Sequence, residues 1–107
     1  MTTKADFIAT LTYRTTENGG RSHYAATGYR PAIKFSFDDR MTSGEQKFLD
    51  KEMVYPGETV LAEIRIVWID IFKRKLKCGT QFEFYEGARM IGAGEIIEVI
   101  NEELLQK

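Results

Sequence analysis

Hydrophobic residues alternate with polar ones along most of this chain, and the repeat is two residues rather than the longer period of a helix. The alternation is clear in residues 7–13, 33–37, 60–68 and 82–85. Successive side chains of a β-strand point to opposite faces of a sheet, so the pattern predicts half-buried, antiparallel strands. The residues that share the more apolar face of each segment are Phe7, Ala9, Leu11, Tyr13, Ile33, Phe35, Phe37, Val60, Ala62, Ile64, Ile66, Trp68, Phe82 and Phe84.

Turn-forming residues separate these segments, and no apolar segment is long enough for a core helix. The turn signals are Asn18-Gly19-Gly20, Asp38-Asp39, Ser43-Gly44, Pro56-Gly57, Cys78-Gly79 and Glu86-Gly87. We expect other glycines, such as Gly92 and Gly94, at turns or points of close packing. Only the C-terminal EELLQK has helical character, and it is too short to form a stable helix alone. About six strands without covering helices predict an all-β fold closed into a small barrel, because closure leaves no exposed edge strand.

The length of 107 residues fits a single domain. We expect that domain to span residues 1–107, with the barrel core at about 6–100 and a short C-terminal tail at 101–107. The net charge of −1 argues against a surface that is basic all over, as in many nucleic-acid-binding proteins. A local basic patch stays possible.

The chain has features of a protein from a reducing compartment. Its only cysteine, Cys78, cannot form an intrachain disulfide. The N-terminal MTTKADF carries Lys4 and Asp6 where a signal peptide requires an apolar run. Charged residues interrupt the most apolar stretch, VLAEIRIVWIDIF, which we therefore do not expect to span a membrane. The expected location is the cytoplasm.

The sequence contains no recognisable catalytic, nucleotide-binding or metal-binding arrangement. A P-loop needs a lysine followed by Ser or Thr among its glycines, and the glycine-flanked residues 19–28 contain no lysine. Zinc needs three or four Cys and His ligands, whereas this chain has only His23 and Cys78. Ser22 is adjacent to His23 and would point away from it in an extended segment. We expect a protein without enzymatic activity, cofactor, metal or nucleotide.

Three segments resemble motifs of one known domain, the C-terminal β-barrel domain of translation elongation factor Tu. GGRSHYAATGYRP at residues 19–31 is similar to that family's GGRHTPFF-x-GYRP. MVYPGETV at 53–60 is similar to MVMPGDNV, and EGARMIGAGEI at 86–96 to EGGRTVGAGVV. The resemblance implies a closed six-stranded antiparallel barrel over about residues 6–100. The family's GTP-binding domain and middle barrel are absent, so the resemblance implies a stand-alone barrel without GTPase activity.

In that family the C-terminal barrel contacts the T stem of aminoacyl-tRNA and also packs on the GTPase domain and the exchange factor. Arg21 matches the arginine of the family's GGRH, and Glu86 matches a glutamate that contacts the T stem. Ser22 stands in place of the family's histidine, with His23 one position later, and Ala32 replaces the glutamine after YRP. The residues that the resemblance marks as partner-binding or RNA-binding are Arg21, His23, Tyr29, Arg30, Glu86 and Arg89.

Two functions are consistent with these residues. The first is a non-enzymatic module that docks on a protein of the translation machinery or on a factor that targets it. The alternative is a small RNA-binding module that contacts a tRNA-like stem. In either case residues 18–35 form a rigid connection that presents polar and aromatic side chains, including Tyr24, to a partner, since glycines and Pro31 allow sharp turns at its ends.

The run KRKLK at residues 73–77 concentrates positive charge in a chain that is nearly neutral overall. Most such runs are solvated loops, but clustered lysines and arginines are also the usual ligands of nucleic-acid phosphates. Both interpretations stay open, and the residues of a possible phosphate patch are Lys73, Arg74, Lys75 and Lys77.

Overall fold

Six strands close into an antiparallel barrel in a computed structural model that describes residues 4–107. The strands, in chain order, are β1 (Phe7–Tyr13), β2 (Ala25–Ala26), β3 (Ala32–Phe35), β4 (Met41–Phe48), β5 (Met53–Val54), β6 (Thr59–Ile66), β7 (Gln81–Glu86) and β8 (Arg89–Val99). The order around the barrel is β1-β6-β4-β3-β7-β8, and β8 pairs again with β1. β2 and β5 form a separate two-stranded pair. Residues 1–3, which belong to the predicted domain and to the segment MTTKADF, lie outside the described residues.

Aromatic side chains fill the barrel interior, as the alternation predicts. The rings of Phe7, Phe35 and Phe82 are fully or almost fully buried. They pack edge to face with centroids 5.8 to 6.0 Å apart, an arrangement favoured by the charge distribution of aromatic rings. Phe72, which follows β6, is also buried and places its ring 4.9 Å from that of Phe35. The core is therefore continuous from the strands into the segment between β6 and β7.

Two rings of β7 lie over glycines of the neighbouring strand β8. Phe82 is paired with Gly94, and Phe84 with Gly92. A Cβ atom on Gly94 would stand 2.4 Å from Cζ of Phe82, and one on Gly92 would stand 2.2 Å from Cζ of Phe84. Both distances are far below van der Waals contact. The predicted close-packing role of these glycines is confirmed.

The barrel has two ends that carry different candidate sites. The hairpin end holds the β7–β8 turn at Gly87, the 14–31 loop and the 55–58 turn that precedes β6. The tail end holds the 36–40 turn, the 67–80 segment and residues 100–107. The strand register separates them, because Tyr13 pairs with Gly92 near one end of the β1–β8 ladder and Phe7 pairs with Val99 at the other.

One predicted turn is wrong. Ser43-Gly44 lies inside β4, where Gly44 is buried and pairs with Ile66. A Cβ atom on Gly44 would stand 2.1 Å from Cδ1 of Ile33, so the glycine makes room for a core side chain and does not reverse the chain. The other five turn signals fall at the connections between strands.

Two predicted strand segments are too long at their C-terminal ends. Phe37 follows the end of β3 and is 45% exposed, and its ring stacks on Phe35 with centroids 5.7 Å apart. Trp68 follows the end of β6 and is 49% exposed. Its amide donates to Oγ1 of Thr42 at 2.9 Å, which replaces a ladder hydrogen bond with a side-chain one. In both segments, apolar residues continue along the chain beyond the last residue that pairs with a neighbouring strand, and the alternation alone does not show where the pairing ends.

The C-terminal EELLQK is not helical, although its composition has helical character. Residues 102–104 form a turn, and Leu105 makes a parallel bridge with Leu76. The amide of Leu76 donates to the carbonyl of Leu104 at 2.9 Å, and the amide of Gln106 donates to the carbonyl of Leu76 at 2.7 Å. Leu104 is fully buried. These contacts hold the segment in a non-helical form, and six residues are too few to form a stable helix alone.

Asp6 holds the tail against the barrel. Its carboxylate accepts a hydrogen bond from the amide of Ile66 at 2.8 Å and another from Nδ2 of Asn101 at 2.9 Å. Its carbonyl accepts from the amides of Ile100 and Asn101 at 2.9 and 3.0 Å. Asp6 is only 8% exposed. One residue thus links β1, the end of β6 and the tail.

Candidate binding surface at the hairpin end

The three segments that resemble elongation factor Tu meet at the hairpin end. Ala25 and Ala26 of the first segment pair with Val54 and Met53 of the second, as strands β2 and β5. Arg21 of the first segment forms a salt bridge with Glu86 of the third. Residues that are far apart in the sequence therefore contribute to one surface.

Arg21 is held in place by four contacts. Besides its bond to Glu86, its Nη2 donates to the carbonyl of Tyr24 at 3.2 Å and its Nε donates to the carbonyl of His23 at 3.4 Å. Its guanidinium carbon lies 4.7 Å from the ring centroid of Tyr29, which is cation–π geometry. The guanidinium therefore organises the 21–24 backbone as well as neutralising a carboxylate.

Glu86 accepts hydrogen bonds from both Tyr29 and Arg21. The hydrogen bond from Tyr29, followed by the positive charges of Arg21 and Arg89, lowers the pKa of the Glu86 carboxyl below its ordinary value. Burial and the hydrogen bond to Glu86 raise the pKa of Tyr29 to about 12. Glu86 is therefore an ionised acceptor with two donors in place, and Tyr29 is a neutral donor over the whole physiological range.

A buried polar pair lies beneath this surface and was not anticipated from the sequence. The hydroxyl of Tyr13 donates to Oε1 of Gln46, whose side chain is fully buried. Burial, and then the proximity of Tyr29, raises the pKa of Tyr13 well above its ordinary value. Among residues 4–107, Nε2 of Gln46 has no hydrogen-bond partner. A backbone hydrogen bond, from the amide of Gln46 to the carbonyl of Tyr29 at 2.8 Å, connects this buried pair to the surface above it.

The other predicted site residues at this end are more exposed. His23 is exposed, and in the described part of the chain its side chain makes no hydrogen bond. Nη2 of Arg30 lies 3.7 Å from Oε2 of Glu45, which is also bound by Arg65. Arg89 pairs with Glu86 in the β7–β8 register and is exposed, without a carboxylate within salt-bridge distance among the described residues. Arg21, Tyr29 and Glu86 form one cluster, whereas Arg30 belongs to a second ion-pair group.

An exposed apolar patch adjoins this cluster. Tyr24 and Tyr55 are 46% and 51% exposed, and their ring centroids are 5.7 Å apart. Met53 of β5 is also partly exposed. The sequence reasoning identified Tyr24 but missed Tyr55 and Met53, although both belong to the segment MVYPGETV that carries the second resemblance. We call Tyr24, Met53 and Tyr55 the aromatic patch.

The possible phosphate patch at residues 73–77 lies at the tail end, away from the hairpin end. Leu76, the fourth residue of the run, is fully buried and pairs with Leu105. Nζ of Lys73 lies 3.5 Å from Oδ1 of Asp70, so that charge is partly neutralised. A single compact ligand cannot touch both Arg21 and this run, because the length of the β-strands separates them.

No protein-family model matches the chain, so the resemblance to elongation factor Tu stays a prediction that depends on the three segments. Within residues 4–107, no group of three or more His, Cys, Asp and Glu side chains is arranged to hold a metal ion. The same residues include no helix with the length and apolar character needed to cross a bilayer.

Replacing Tyr29 by phenylalanine is expected to make stability less dependent on pH at both extremes. Because the pKa of Glu86 is lowered in the fold, its contribution is present above the ordinary carboxyl pKa and is lost as pH falls. Because the pKa of Tyr29 is raised from 10.0 to about 12, its contribution is present below the lower value and is lost as pH rises through the higher one. The variant lacks the Tyr29 hydroxyl, which is the group that titrates, and with it the hydrogen bond that contributes most to lowering the pKa of Glu86.

The measurement is the free energy of unfolding in urea at a series of pH values, together with the carbon-13 shift of the Glu86 carboxyl during titration. Tyr24→Phe is the matched control, since the Tyr24 hydroxyl makes no hydrogen bond within the described residues. An unchanged Glu86 titration in Tyr29→Phe would contradict the proposed bond.

Proposed function

We propose that this chain is a non-enzymatic, cytoplasmic binding module, similar to the C-terminal barrel of elongation factor Tu, that docks on a protein partner linked to translation. The observation that supports this most is the meeting of the three similar segments at the hairpin end, through the β2–β5 pair and the Arg21–Glu86 salt bridge. The single cysteine, Cys78, is free and exposed, which fits a reducing compartment.

The surface chemistry favours a protein over RNA at this end. Arg21 and Glu86 neutralise each other, and Arg30 lies beside Glu45. Phosphate-binding surfaces need cations whose charge is available to the ligand. The aromatic patch, in contrast, offers exposed tyrosines and a methionine, residue types that are enriched at the centres of protein interfaces. The backbone of this patch is held by hydrogen bonds, from Arg21 to the carbonyl of Tyr24 and from the amide of Tyr55 to Glu58, which lowers the entropic cost of docking.

One observation favours the alternative, a tRNA-like stem. Arg89 is exposed beside Glu86 and has no salt-bridge partner among residues 4–107, so it is free to contact a phosphate. Together with Arg30, which is 64% exposed at its side chain, it forms the cationic part of this surface.

The test is affinity capture from the protein's own cell extract, followed by binding measurements with the captured partner and with total tRNA at increasing salt. If the partner is a protein of the translation machinery, Tyr24→Ala and Tyr55→Ala should each weaken binding by about 2 kcal/mol where the ring is a buried anchor. Trp68→Ala is the matched control, because Trp68 is an aromatic residue of similar exposure at the tail end.

The alternative predicts a different pattern. Affinity for tRNA would fall steeply with salt, and Arg30→Ala or Arg89→Ala would reduce the salt slope by about one each. Capture of tRNA alone with that pattern would replace the protein-docking proposal. If neither the tyrosine nor the arginine variants changed binding to anything captured, the hairpin end would be only a connection between strands.

A further inference from the structure

The basic run at the tail end surrounds an open depression. Its volume is about 510 Å³, within the range that small ligands occupy in proteins. Arg74, Lys75 and Lys77 line it, and all three are exposed. None of the three has a carboxylate within 4 Å in the part of the chain that the structure describes. Their charge is therefore available to a ligand.

Two carboxylates at the tail end, those of Asp38 and Asp70, are already paired with other cations. Asp38 accepts three hydrogen bonds from the guanidinium of Arg40, at 3.1, 3.3 and 2.8 Å, and one from its amide at 2.9 Å. Asp70 lies beside Lys73, which is not among the residues that line the depression. Lys73, predicted as part of the phosphate patch, thus lies outside it. The remaining three cations form a positively charged wall.

An aromatic ring, that of Phe37, also lines the depression. The Phe37 ring lies almost parallel to that of Phe35, at an interplanar angle of 11°, and meets the ring of Phe72 edge-on at 6.4 Å. These buried rings fix its orientation while 45% of the residue stays exposed. Ser36 and Thr80 also line the depression, and the Ser36 hydroxyl has no hydrogen-bond partner within residues 4–107.

The backbone of the basic run is also unusual. Arg74 has a φ angle of +61°, and it is the only non-glycine residue with positive φ in the described part of the chain. Its amide donates to the carbonyl of Glu103 at 2.9 Å, so the tail holds it in that conformation. A residue in the left-handed region persists only where its surroundings hold it, and such residues cluster at ligand sites. The run is therefore anchored, unlike a solvated loop.

From this arrangement we infer that the tail end binds a single-stranded segment of nucleic acid, with a base stacked on Phe37 and phosphates on Arg74, Lys75 and Lys77. Single-stranded nucleic acids are bound by this combination of an aromatic platform and a positively charged groove, with little preference for sequence. A free anion would use the cations but not the ring. The site is separate from the hairpin end and does not depend on the function proposed there.

The test measures fluorescence anisotropy of labelled oligouridylate and oligothymidylate of about 12 nucleotides, which covers the site size of small single-strand-binding domains. Both should bind, and affinity should fall as salt rises from about 50 to 200 mM. Removing the charges of Lys75 and Lys77 by Lys75→Gln and Lys77→Gln should reduce the salt slope by about 0.7 for each cation. Phe37→Ala should weaken binding about fivefold or more and leave the salt slope unchanged.

The controls separate this site from general charge effects. Lys47→Gln combined with Lys51→Gln makes the same change in net charge outside the basic run, and it should leave both affinity and slope as in the wild-type protein. Circular dichroism and urea unfolding of each variant establish that the barrel is intact.

Three results would overturn the inference. The first is the absence of binding by the wild-type chain to either oligonucleotide at about 50 mM salt. The second is an unchanged salt slope in the Lys75 and Lys77 variants. The third is full competition by inorganic phosphate combined with an unaffected Phe37→Ala variant, which would make this a site for small anions only. A preference for one of the two oligonucleotides would also support the inference.

Discussion

Replacing Asp6 by alanine is expected to lower the free energy of unfolding by about 3 kcal/mol, because hydrogen bonds to a charged group contribute roughly 1.5 to 3 kcal/mol each. The carboxylate accepts from the Ile66 amide and from Asn101, and Asp6 is 8% exposed. Alanine would leave the amide of Ile66 buried without an acceptor. Asp6→Asn keeps one acceptor oxygen and should cost about half as much. Urea unfolding monitored by circular dichroism measures both.

Asp39→Ala is the matched control for this prediction. Its carboxylate is fully exposed and lies 3.8 Å from Nζ of Lys34, and ion pairs that are exposed to solvent contribute little to stability. A loss of less than about 0.5 kcal/mol in Asp6→Ala would contradict the assigned role. Hydrogen exchange provides a second readout, since the amides of Ile100 and Asn101 donate to the Asp6 carbonyl and should lose protection together when the tail loosens.

The same tail forms part of the tail-end depression. Gln106 lines it, and the carbonyl of Glu103 accepts from the amide of Arg74. Asp6 therefore stabilises, through Asn101 and the tail, the segment that carries the exposed cations. We expect Asp6→Ala to weaken oligonucleotide binding indirectly, by disordering the basic run, even at temperatures where the barrel stays folded.

The barrel was predictable from the sequence because its inward positions are mostly large apolar residues with a two-residue repeat. β4 is the exception. Its inward residues are Thr42, Gly44, Gln46 and Phe48, of which only Phe48 is a large apolar residue. Buried and more exposed residues alternate along the whole strand, but apolar and polar residues do not. Gly44 is small because Ile33 occupies the space in front of it, and Gln46 is polar because it meets Tyr13. Both causes are long-range contacts that a local pattern does not contain.

The candidate site was predictable in part for the same reason. Resemblance marked Arg21, Tyr29 and Glu86, and the fold brings these three together. In an antiparallel barrel each strand carries the chain to the opposite end, so the end at which residues 73–77 lie depends on the number of barrel strands between them and the 14–31 loop. The pattern of apolar and polar residues does not reveal β4, and that number could therefore not be derived from the sequence. The exposure of Tyr55 depends on the β2–β5 pair, and the burial of Leu76 depends on the tail. Neither the two-residue strands nor the tail has a residue pattern strong enough to predict these contacts.

A large loss of stability is also expected from a change at Gly94, which lies in the segment EGARMIGAGEI that is similar to a motif of elongation factor Tu. Gly94→Ala should lower the free energy of unfolding by about 1 to 3 kcal/mol, the usual cost of overpacking a core. The new Cβ would stand 2.4 Å from Cζ of Phe82 and 2.9 Å from Cδ2 of Leu11. The Phe82 ring cannot move aside freely, since it packs against the rings of Phe7 and Phe35.

A double-mutant cycle separates this contact from a general intolerance of change in β8. Phe82→Leu removes the part of the ring that a Cβ on Gly94 would meet, so Gly94→Ala should cost at least about 0.5 kcal/mol less in that background than in the wild-type protein. Phe84→Leu is the matched control, because Phe84 lies over Gly92 and is not among the close neighbours of Gly94. In the Phe84→Leu background the cost of Gly94→Ala should be unchanged. Equal coupling to both phenylalanines would show that the glycine is needed for the backbone of β8 and not for the ring that lies on it.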